Sequence, residues 1–301
     1  MAILSYFLSG LTSYAALTLS LFGLSSIHVP KAGFFARCLA AYASLIFCAS
    51  YGVLASIFLR LAGYAQISQW ATGRSFKWAM WLSTGVHFDV IQGQKHLATR
   101  PAVFISNHQT ELDVLMLGTV FPPYCSVTAK KSLSRIPFLG WFMSLSGTVF
   151  IDRANRSTAL KAFDGAADQM KRLKQSVFIF PEGTRTYSAE PMLLPFKKGA
   201  FHLAIKAEAD IVPVVVENYA HVLNVKKLDF NSGAIRVKVL PPITTKGLTS
   251  ANVDELVQNT RQTMLDAILE LASTRQTRDR TNGHVAMQFQ SSNGRSTAVE
   301  I

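Results

Sequence analysis

The chain has 301 residues, of which 49% are hydrophobic and 16% are charged, and this composition excludes a disordered protein. Its formal net charge is +12 while its mean hydropathy is +0.23, a pairing that favours a protein on anionic lipid that handles phosphorylated substrates. Nucleic acid is not expected as a partner, because the basic residues lie among membrane-like segments and no recognised nucleic-acid-binding motif is present.

Cysteine usage indicates neither a disulfide framework nor a zinc site. Cys38, Cys48 and Cys125 are odd in number and show no C-x-x-C spacing. We therefore predict reduced thiols and no metal or other cofactor.

The first 62 residues contain two long uncharged segments, 3–27 and 38–59. Each exceeds the ~20 residues that a helix needs to cross a bilayer, so two membrane-spanning helices are predicted over residues 1–62. Serine and glycine in the first segment leave open a shallow or re-entrant helix. Basic residues are more numerous after the second segment than between the two, so the positive-inside rule places the chain after residue 60 in the cytosol.

Residues 63–87 mix tryptophan and phenylalanine with basic residues at near-helical spacing. This pattern predicts an interfacial helical segment that couples the spans to the remainder of the chain. The alternative is an ordinary amphipathic helix of a soluble core.

From residue 88 to residue 272, short apolar strand-like runs alternate with helical runs, which is typical of an α/β domain. The strand-like runs are 103–105, 125–129, 148–151, 177–180, 212–216 and 235–240, and the helical runs are 112–120, 159–173, 201–206 and 251–272. Residues 273–301 are polar without periodicity and are predicted to form a disordered tail.

The first candidate site motif sets His108 and Asp113 five positions apart, directly after the strand-like run 103–105. Five positions on a helix rotate a side chain by roughly 140°, so the two would not share a face if both lay within one helix. His108 is therefore predicted on a turn and Asp113 on the helix that follows. The carboxylate would then hold one ring nitrogen and leave the other free as a base. A capping box of Thr110 and Asp113 is the structural alternative.

Two further motifs end in arginine. The run 148–151 is followed by Asp152 and Arg153, whose guanidinium matches a phosphate, with a local ion pair to Asp152 as the alternative. The run 177–180 leads into Pro-Glu-Gly-Thr-Arg, where Gly183 can let backbone N–H groups converge on an anion and Arg185 adds charge. A plain β-turn is the alternative.

Pro213 interrupts a β-branched run at 211–216, which by itself indicates an edge strand or a bulge. Two basic pairs, Lys130-Lys131 and Lys197-Lys198, fit either a solvated face or a contact with phosphate.

Taken in order, these stretches resemble the four motifs of the glycerolipid acyltransferase family. The motifs are N-H-x-x-x-x-D at His108 and Asp113, G-T-V-F-I-D-R ending at Arg153, F-P-E-G-T-R ending at Arg185, and I-V-P-V around Pro213. The stretches 121–123, 127–133, 137–142 and 195–201 resemble the 1-acyl-sn-glycerol-3-phosphate acyltransferases, most closely the fungal type. The resemblance implies the glycerol-phosphate acyltransferase fold, an α/β domain with a mixed sheet flanked by helices, preceded by transmembrane and interfacial helices.

The resemblance also implies transfer of an acyl chain from acyl-CoA, a co-substrate, to the sn-2 hydroxyl of lysophosphatidic acid. His108 would be the general base and Asp113 would hold its tautomer, without an acyl-enzyme. The residues expected at the acceptor phosphate are Arg153, Glu182, Gly183, Thr184 and Arg185, with Lys130 as a weaker candidate.

The implied location is the endoplasmic reticulum membrane, with the catalytic domain facing the cytosol and lipid droplets as a second site. Two alternatives remain: an acyltransferase for another lysophospholipid or glycerol-3-phosphate, and a non-catalytic lipid-binding membrane relative. An ester hydrolase is disfavoured because no G-x-S-x-G elbow is present.

Overall fold

The computed structural model describes residues 2–152 and 154–295, and the side chains of Ile3, Arg156 and residues 278–295 are outside this description. The helices are α1 (Ala2–Ser26), α2 (Ala32–Leu61), α3 (Ser68–Thr84), α4 (Asp113–Val120), α5 (Leu139–Leu145), α6 (Arg156–Leu173), α7 (Gly199–Ala207) and α8 (Val253–Arg295). The strands are β1 (Val86–Gln92), β2 (Ala102–Ser106), β3 (Cys125–Lys130), β4 (Val149–Ile151), β5 (Ser176–Ile179), β6 (Asp210–Val216), β7 (Leu223–Asn224), β8 (Asp229–Phe230) and β9 (Gly233–Val239).

Seven strands form one mixed sheet in the order β1-β9-β6-β2-β5-β3-β4, which confirms the predicted fold class. β6, β2, β5, β3 and β4 run parallel, whereas β1 and β9 are parallel to each other and antiparallel to β6. Because the five parallel strands point the same way, the loops after β2, β5 and β6 leave from one edge of the sheet, where α/β proteins commonly bind ligands.

Helices cover both faces of the sheet and create two hydrophobic cores. Phe104 of β2 packs in the core that includes α3 and α4, whereas its neighbours Val103 and Ile105 pack in the core that includes α6, α7 and α8. Successive strand residues point to opposite faces, and a strand buried on both faces is apolar throughout. This is why the strand-like runs 103–105 and 177–180 are apolar at every position.

Of the strands in the seven-stranded sheet, β1 is the one that was not predicted from the sequence. Val86 and Phe88 are buried, whereas His87 is half-buried and Asp89 is exposed. This alternation is the sign of a strand with one solvated face. The interfacial segment was predicted to extend to residue 87 and so overlapped the first residues of β1, whereas α3 ends at Thr84.

Pro213 lies in β6, which is an interior strand between β9 and β2, so the edge-strand interpretation was wrong. Ile211 exchanges two hydrogen bonds with Ile243, and the ladder with β9 resumes at Val214. The nitrogen of Pro213 points the same way as that of Ile211, toward the gap between the Ile211–Ile243 pair and the ladder that begins at Val214. The carbonyl of Pro213 accepts from Leu240 N at 2.9 Å. The missing N–H therefore costs no regular ladder bond.

The closing helix runs further than predicted. The sequence pattern predicted a helix that ends at residue 272 and a disordered tail from residue 273, whereas α8 continues to Arg295. Arg236 of β9 anchors the extension, since its guanidinium donates to Leu271 O at 2.6 Å and to Thr274 Oγ1 at 3.0 Å. The polar residues beyond include Gln and Arg, which favour helix even without an apolar stripe.

Both N-terminal helices are long and apolar enough to cross a membrane, over Leu4–Ser26 and Ala32–Leu61. α2 carries a row of small residues four positions apart that packs against the domain: Ala32, Ala36, Ala40, Ser44, Cys48, Gly52 and Ser56, all buried. Consecutive residues of such a row are neighbours on the helix surface, and the row winds slowly around the helix axis. Elsewhere α2 exposes large apolar side chains, including Phe47 and Phe58.

Both ends of α2 are attached to the α/β domain. Near its start, Arg37 donates to Thr84 O at 3.2 Å and to Phe230 O at 3.1 Å, and at its end Arg60 donates to Leu145 O at 3.0 Å. α2 therefore lies along the domain. Both ends of the second candidate span are thus in contact with the domain.

The contact between α3 and α4 depends on a glycine. A Cβ added at Gly118 of α4 would lie 2.5 Å from the backbone oxygen of Gly73 in α3.

We expect Gly118→Ala to force the helices apart and to lower the free energy of unfolding by about 1–3 kcal/mol. This would lower the Tm of the purified protein by about 2–10 °C in a thermal melt. Gly165→Ala in α6 is the control, because a Cβ there has nothing within 4 Å and should leave the Tm unchanged or higher. An equal Tm for both variants would contradict the close packing.

Candidate active site

The site forms at the edge of the sheet where β2, β5 and β6 end. Asn107 directly follows β2 and joins it to β6, since its amide nitrogen donates to Val216 O at 3.0 Å and its amide oxygen accepts from Val216 N at 2.9 Å. These two bonds continue the sheet by one side chain and fix the start of the next turn. His108 is the first residue on that turn.

His108 Nδ1 lies 2.7 Å from Asp113 Oδ2. His108 is on the turn and Asp113 is the first residue of α4, which is the arrangement predicted from their spacing. In the tautomer with its proton on Nδ1, His108 donates to this carboxylate and Nε2 holds a lone pair. Nε2 has no hydrogen-bond partner within the described chain. The ring is 15% exposed and stacks on Phe180, with 4.2 Å between centroids.

Asp113 has no exposed surface, and four donors compensate its carboxylate. Oδ2 accepts from His108 and from the backbone nitrogens of Gln109 at 2.6 Å and Thr110 at 3.2 Å. Oδ1 accepts from the hydroxyl of Tyr219 at 2.7 Å. A buried charge without such partners would be very costly. One half of the capping box is therefore present, alongside the contact with the histidine.

Tyr219 was not predicted from the sequence. It is fully buried in the loop after β6, and burial together with the charge of Asp113 raises its pKa well above the usual value, so it remains a proton donor. Its oxygen also accepts from Thr110 N at 3.1 Å. It lies 106 positions from Asp113, and nothing in the local pattern links the two. Tyr219 follows β6, which ends at the same edge of the sheet as β2, and this position was the one sign in the sequence that it could reach the site.

Glu182 does not face an anion site, in contrast to the prediction. Its Oε1 accepts from His108 N at 2.7 Å, its Oε2 accepts from Leu194 N at 2.9 Å, and the residue is 3% exposed. Burial raises the pKa of its carboxyl group, which the two backbone donors partly offset. A carboxylate would in any case repel a phosphate. Glu182 instead holds the backbone of the histidine turn.

Gly183 has a role in the turn rather than as an anion donor. Its φ is +68°, in the left-handed region, and its N–H donates to Phe180 O at 3.1 Å. A Cβ here would lie 2.8 Å from Lys197 Cε, so a lysine packs directly on the turn. Thr184, the next residue, is exposed.

Arg185 lies beside the histidine turn. The two residues that follow Arg185 donate backbone hydrogen bonds to the histidine turn. Thr186 N donates to His108 O at 3.0 Å, and Tyr187 N donates to Gln109 O at 3.1 Å. Arg185 Nη1 donates to Glu111 Oε1 at 2.9 Å. Its Nε is buried without a partner among the described residues.

The other predicted phosphate ligands are less defined. Lys130 is exposed at the end of β3, and Lys131 lies 3.8 Å from Asp152. Arg153 lies outside the described residues. The structure therefore brings His108, Asp113, Glu182, Gly183 and Arg185 together at one edge.

Cys125 is fully buried at the start of β3, and burial raises the pKa of its thiol well above the usual value. A thiol in this state is a poor nucleophile. Within the part of the chain that the structure describes, no three His, Cys, Asp or Glu residues are grouped so as to hold a metal ion.

Comparison with known proteins identifies the family. The Acyltransferase family model matches residues 88–217. The 1-acyl-sn-glycerol-3-phosphate acyltransferase of Saccharomyces cerevisiae is 42% identical over 256 residues, which cover 85% of this chain and 84% of the yeast protein. The 1-acyl-sn-glycerol-3-phosphate acyltransferase beta of Homo sapiens is 36% identical over 260 residues, covering 85% and 91% of the two chains.

A solved structure agrees on the fold. The crystal structure of the 1-acyl-sn-glycerophosphate (LPA) acyltransferase PlsC from Thermotoga maritima superposes with a TM-score of 0.60 at 21% identity, over 87% of this chain and 97% of that chain. With the sequence relatives, this likeness leads to one conclusion. The chain belongs to the acyltransferase family, among the relatives of the 1-acyl-sn-glycerol-3-phosphate acyltransferases.

Proposed function

We propose that this acyltransferase moves the acyl chain of acyl-CoA to the sn-2 hydroxyl of lysophosphatidic acid, giving phosphatidic acid and CoA. One observation carries the reaction type: a histidine whose Nδ1 lies 2.7 Å from a fully buried aspartate and whose Nε2 is unpaired within the described chain. The names of the yeast and human relatives support the choice of acceptor.

In this mechanism His108 Nε2 takes the proton of the acceptor hydroxyl while that oxygen attacks the thioester carbonyl. Asp113 stabilises the imidazolium that forms. Collapse of the tetrahedral intermediate breaks the carbon–sulfur bond, and the imidazolium returns its proton to the CoA thiolate. Because the acceptor hydroxyl is itself the nucleophile, no acyl-enzyme is required.

Arg185 is the side chain we assign to the acceptor phosphate. Its turn is bonded to the backbone of His108 and Gln109, so a phosphate held there would lie at a fixed distance from the base. Holding the acceptor in this way places its hydroxyl for attack. Arg153 and Lys130 remain predictions as further ligands.

We place α1 and α2 in the endoplasmic reticulum membrane, with the α/β domain on its cytosolic side and lipid droplets as a second location. The row of small residues on α2 packs on the domain, and the large apolar side chains of α2 are exposed for lipid. Both substrates carry long acyl chains, so an enzyme seated in this way can take them from the bilayer.

His108→Ala should remove the general base and lower kcat about 10²- to 10⁴-fold, because proton transfer by a positioned side chain contributes an effect of this size. The measurement is CoA release from oleoyl-CoA with lysophosphatidic acid. His202→Ala is the matched control, since His202 is exposed on α7. Turnover by His108→Ala within about tenfold of the wild-type value would contradict the role.

Tyr219→Phe removes one donor to the buried carboxylate and keeps the ring. We expect kcat to fall about 10- to 100-fold, since hydrogen bonds to charged groups contribute about 1.5–3 kcal/mol. Single-turnover kinetics with the purified variant check this. An unchanged single-turnover rate constant would contradict this role, because Asp113 would then not need the hydrogen bond from Tyr219.

The acceptor is tested by CoA release with lysophosphatidic acid, glycerol-3-phosphate and a neutral lysolipid. We expect lysophosphatidic acid to give a kcat/KM at least about tenfold above that of the neutral lysolipid, because one charge-assisted contact contributes at least about 1.5 kcal/mol. Equal rates for acceptors with and without phosphate would contradict the assignment of Arg185.

A further inference from the structure

Arg185 is held in place by two side chains that the mechanism above does not use. Glu111 Oε1 accepts from Arg185 Nη1 at 2.9 Å, and the hydroxyl of Tyr187 lies 3.2 Å from the same nitrogen. Tyr187 also donates to Glu111 Oε1 at 2.6 Å. The three groups form a closed triangle at the mouth of the site, which we call the arginine cradle.

The arginine cradle satisfies only one end of the guanidinium. Arg185 Nε is buried and has no hydrogen-bond partner among the described residues. An Nε without accessible surface cannot meet a ligand as the side chain stands, so contact with a phosphate falls to Nη2, on a side chain that is 38% exposed. The guanidinium is planar, and a contact that fixes Nη1 therefore also fixes the direction in which Nη2 donates.

The backbone of Tyr187 supports the same interpretation. Its φ is +48°, in the left-handed region that residues other than glycine seldom adopt. The hydrogen bond from its N–H to Gln109 O at 3.1 Å holds this conformation and turns the ring toward Glu111. Backbone of this kind persists where surrounding contacts fix it and is concentrated at ligand sites.

We propose that Glu111 is a positioning residue for the acceptor phosphate and acts through Arg185, an inference that rests on the proposed function. Glu111 and Tyr187 fix the guanidinium by Nη1 so that its Nη2 is presented to the phosphate before the acceptor arrives. An arginine side chain has many rotamers, and ordering it in advance removes an entropic cost from binding.

Glu111 also carries a charge that would repel a phosphate. Loss of the repulsion would lower the acceptor KM, whereas loss of the contact that orients Arg185 would raise it. The carboxylate is 51% exposed, so solvent screens its long-range repulsion, whereas the hydrogen bond at 2.9 Å acts directly on the arginine. Orientation therefore dominates. Loss of Glu111 should raise the KM for the acceptor and leave kcat nearly unchanged.

The test is a double-mutant cycle on the purified full chain, with lysophosphatidic acid and oleoyl-CoA as substrates. Glu111→Ala should raise the acceptor KM about three- to tenfold with kcat within about twofold, and should have no further effect in an Arg185→Ala background. Glu111→Gln, which keeps an acceptor oxygen for Nη1, should restore most of the wild-type KM. Glu208→Ala is the control, because Glu208 is an exposed glutamate paired with Lys171 at 2.8 Å.

An unchanged or lower KM for Glu111→Ala would overturn the proposal, and a lower value would mean that repulsion dominates. An equal rise in KM in the Arg185→Ala background would also overturn it, because Glu111 would then not act through the arginine. Failure of the proposed function has a separate signature: the wild-type enzyme would release no CoA with lysophosphatidic acid, and this inference would fall with it.

Discussion

The carboxylate of Asp113, which has no contact with solvent, is the interaction on which the rest of the site depends. Moving a charge of this kind out of water costs several kcal/mol unless donors surround it. The donors come from three places: the turn after β2, the ring of His108 on that turn, and the loop after β6. The carboxylate is therefore compensated only when the ends of these two strands are correctly assembled.

A second buried carboxylate extends this arrangement to the next strand. Glu182 follows β5 and accepts the backbone N–H of His108, so the turn that carries this histidine is held from two sides. The same segment continues to Arg185, whose neighbours are bonded to the carbonyls of His108 and Gln109. In our proposal the phosphate ligand and the base are thus parts of one hydrogen-bonded unit, so the distance between them is set by the fold.

The sequence predicted those features that depend on local pattern. Short strand-like runs located β2, β3, β5, β6 and β9, and the spacing of His108 and Asp113 predicted that the histidine lies on the turn and the aspartate on the helix. Features that depend on distant contacts were missed or misread. Tyr219 reaches Asp113 only after folding, and Glu182 turned inward although its motif suggested an anion. Pro213 stands in the interior of the sheet because the ladder beside it is interrupted, which no local pattern shows.

The N-terminal helices illustrate the same limit. Length and hydropathy describe α1 and α2 correctly as apolar helices, yet the contacts of Arg37 and Arg60 show that α2 lies along the domain at both ends. The small residues of α2 form its packing surface against the domain, a role that hydropathy alone does not indicate. An enzyme built this way would keep its site beside the lipid surface that supplies its substrates.

The central claim is that Asp113 fixes the tautomer of His108 and leaves Nε2 as the base. The most direct test is the ¹⁵N spectrum of histidine-labelled enzyme in lipid nanodiscs at a pH where His108 is neutral, assigned by comparison with His108→Ala. The account predicts a protonated Nδ1 and an unprotonated Nε2 for this residue. A protonated Nε2 would contradict it, because that nitrogen could not then accept the proton of the acceptor hydroxyl.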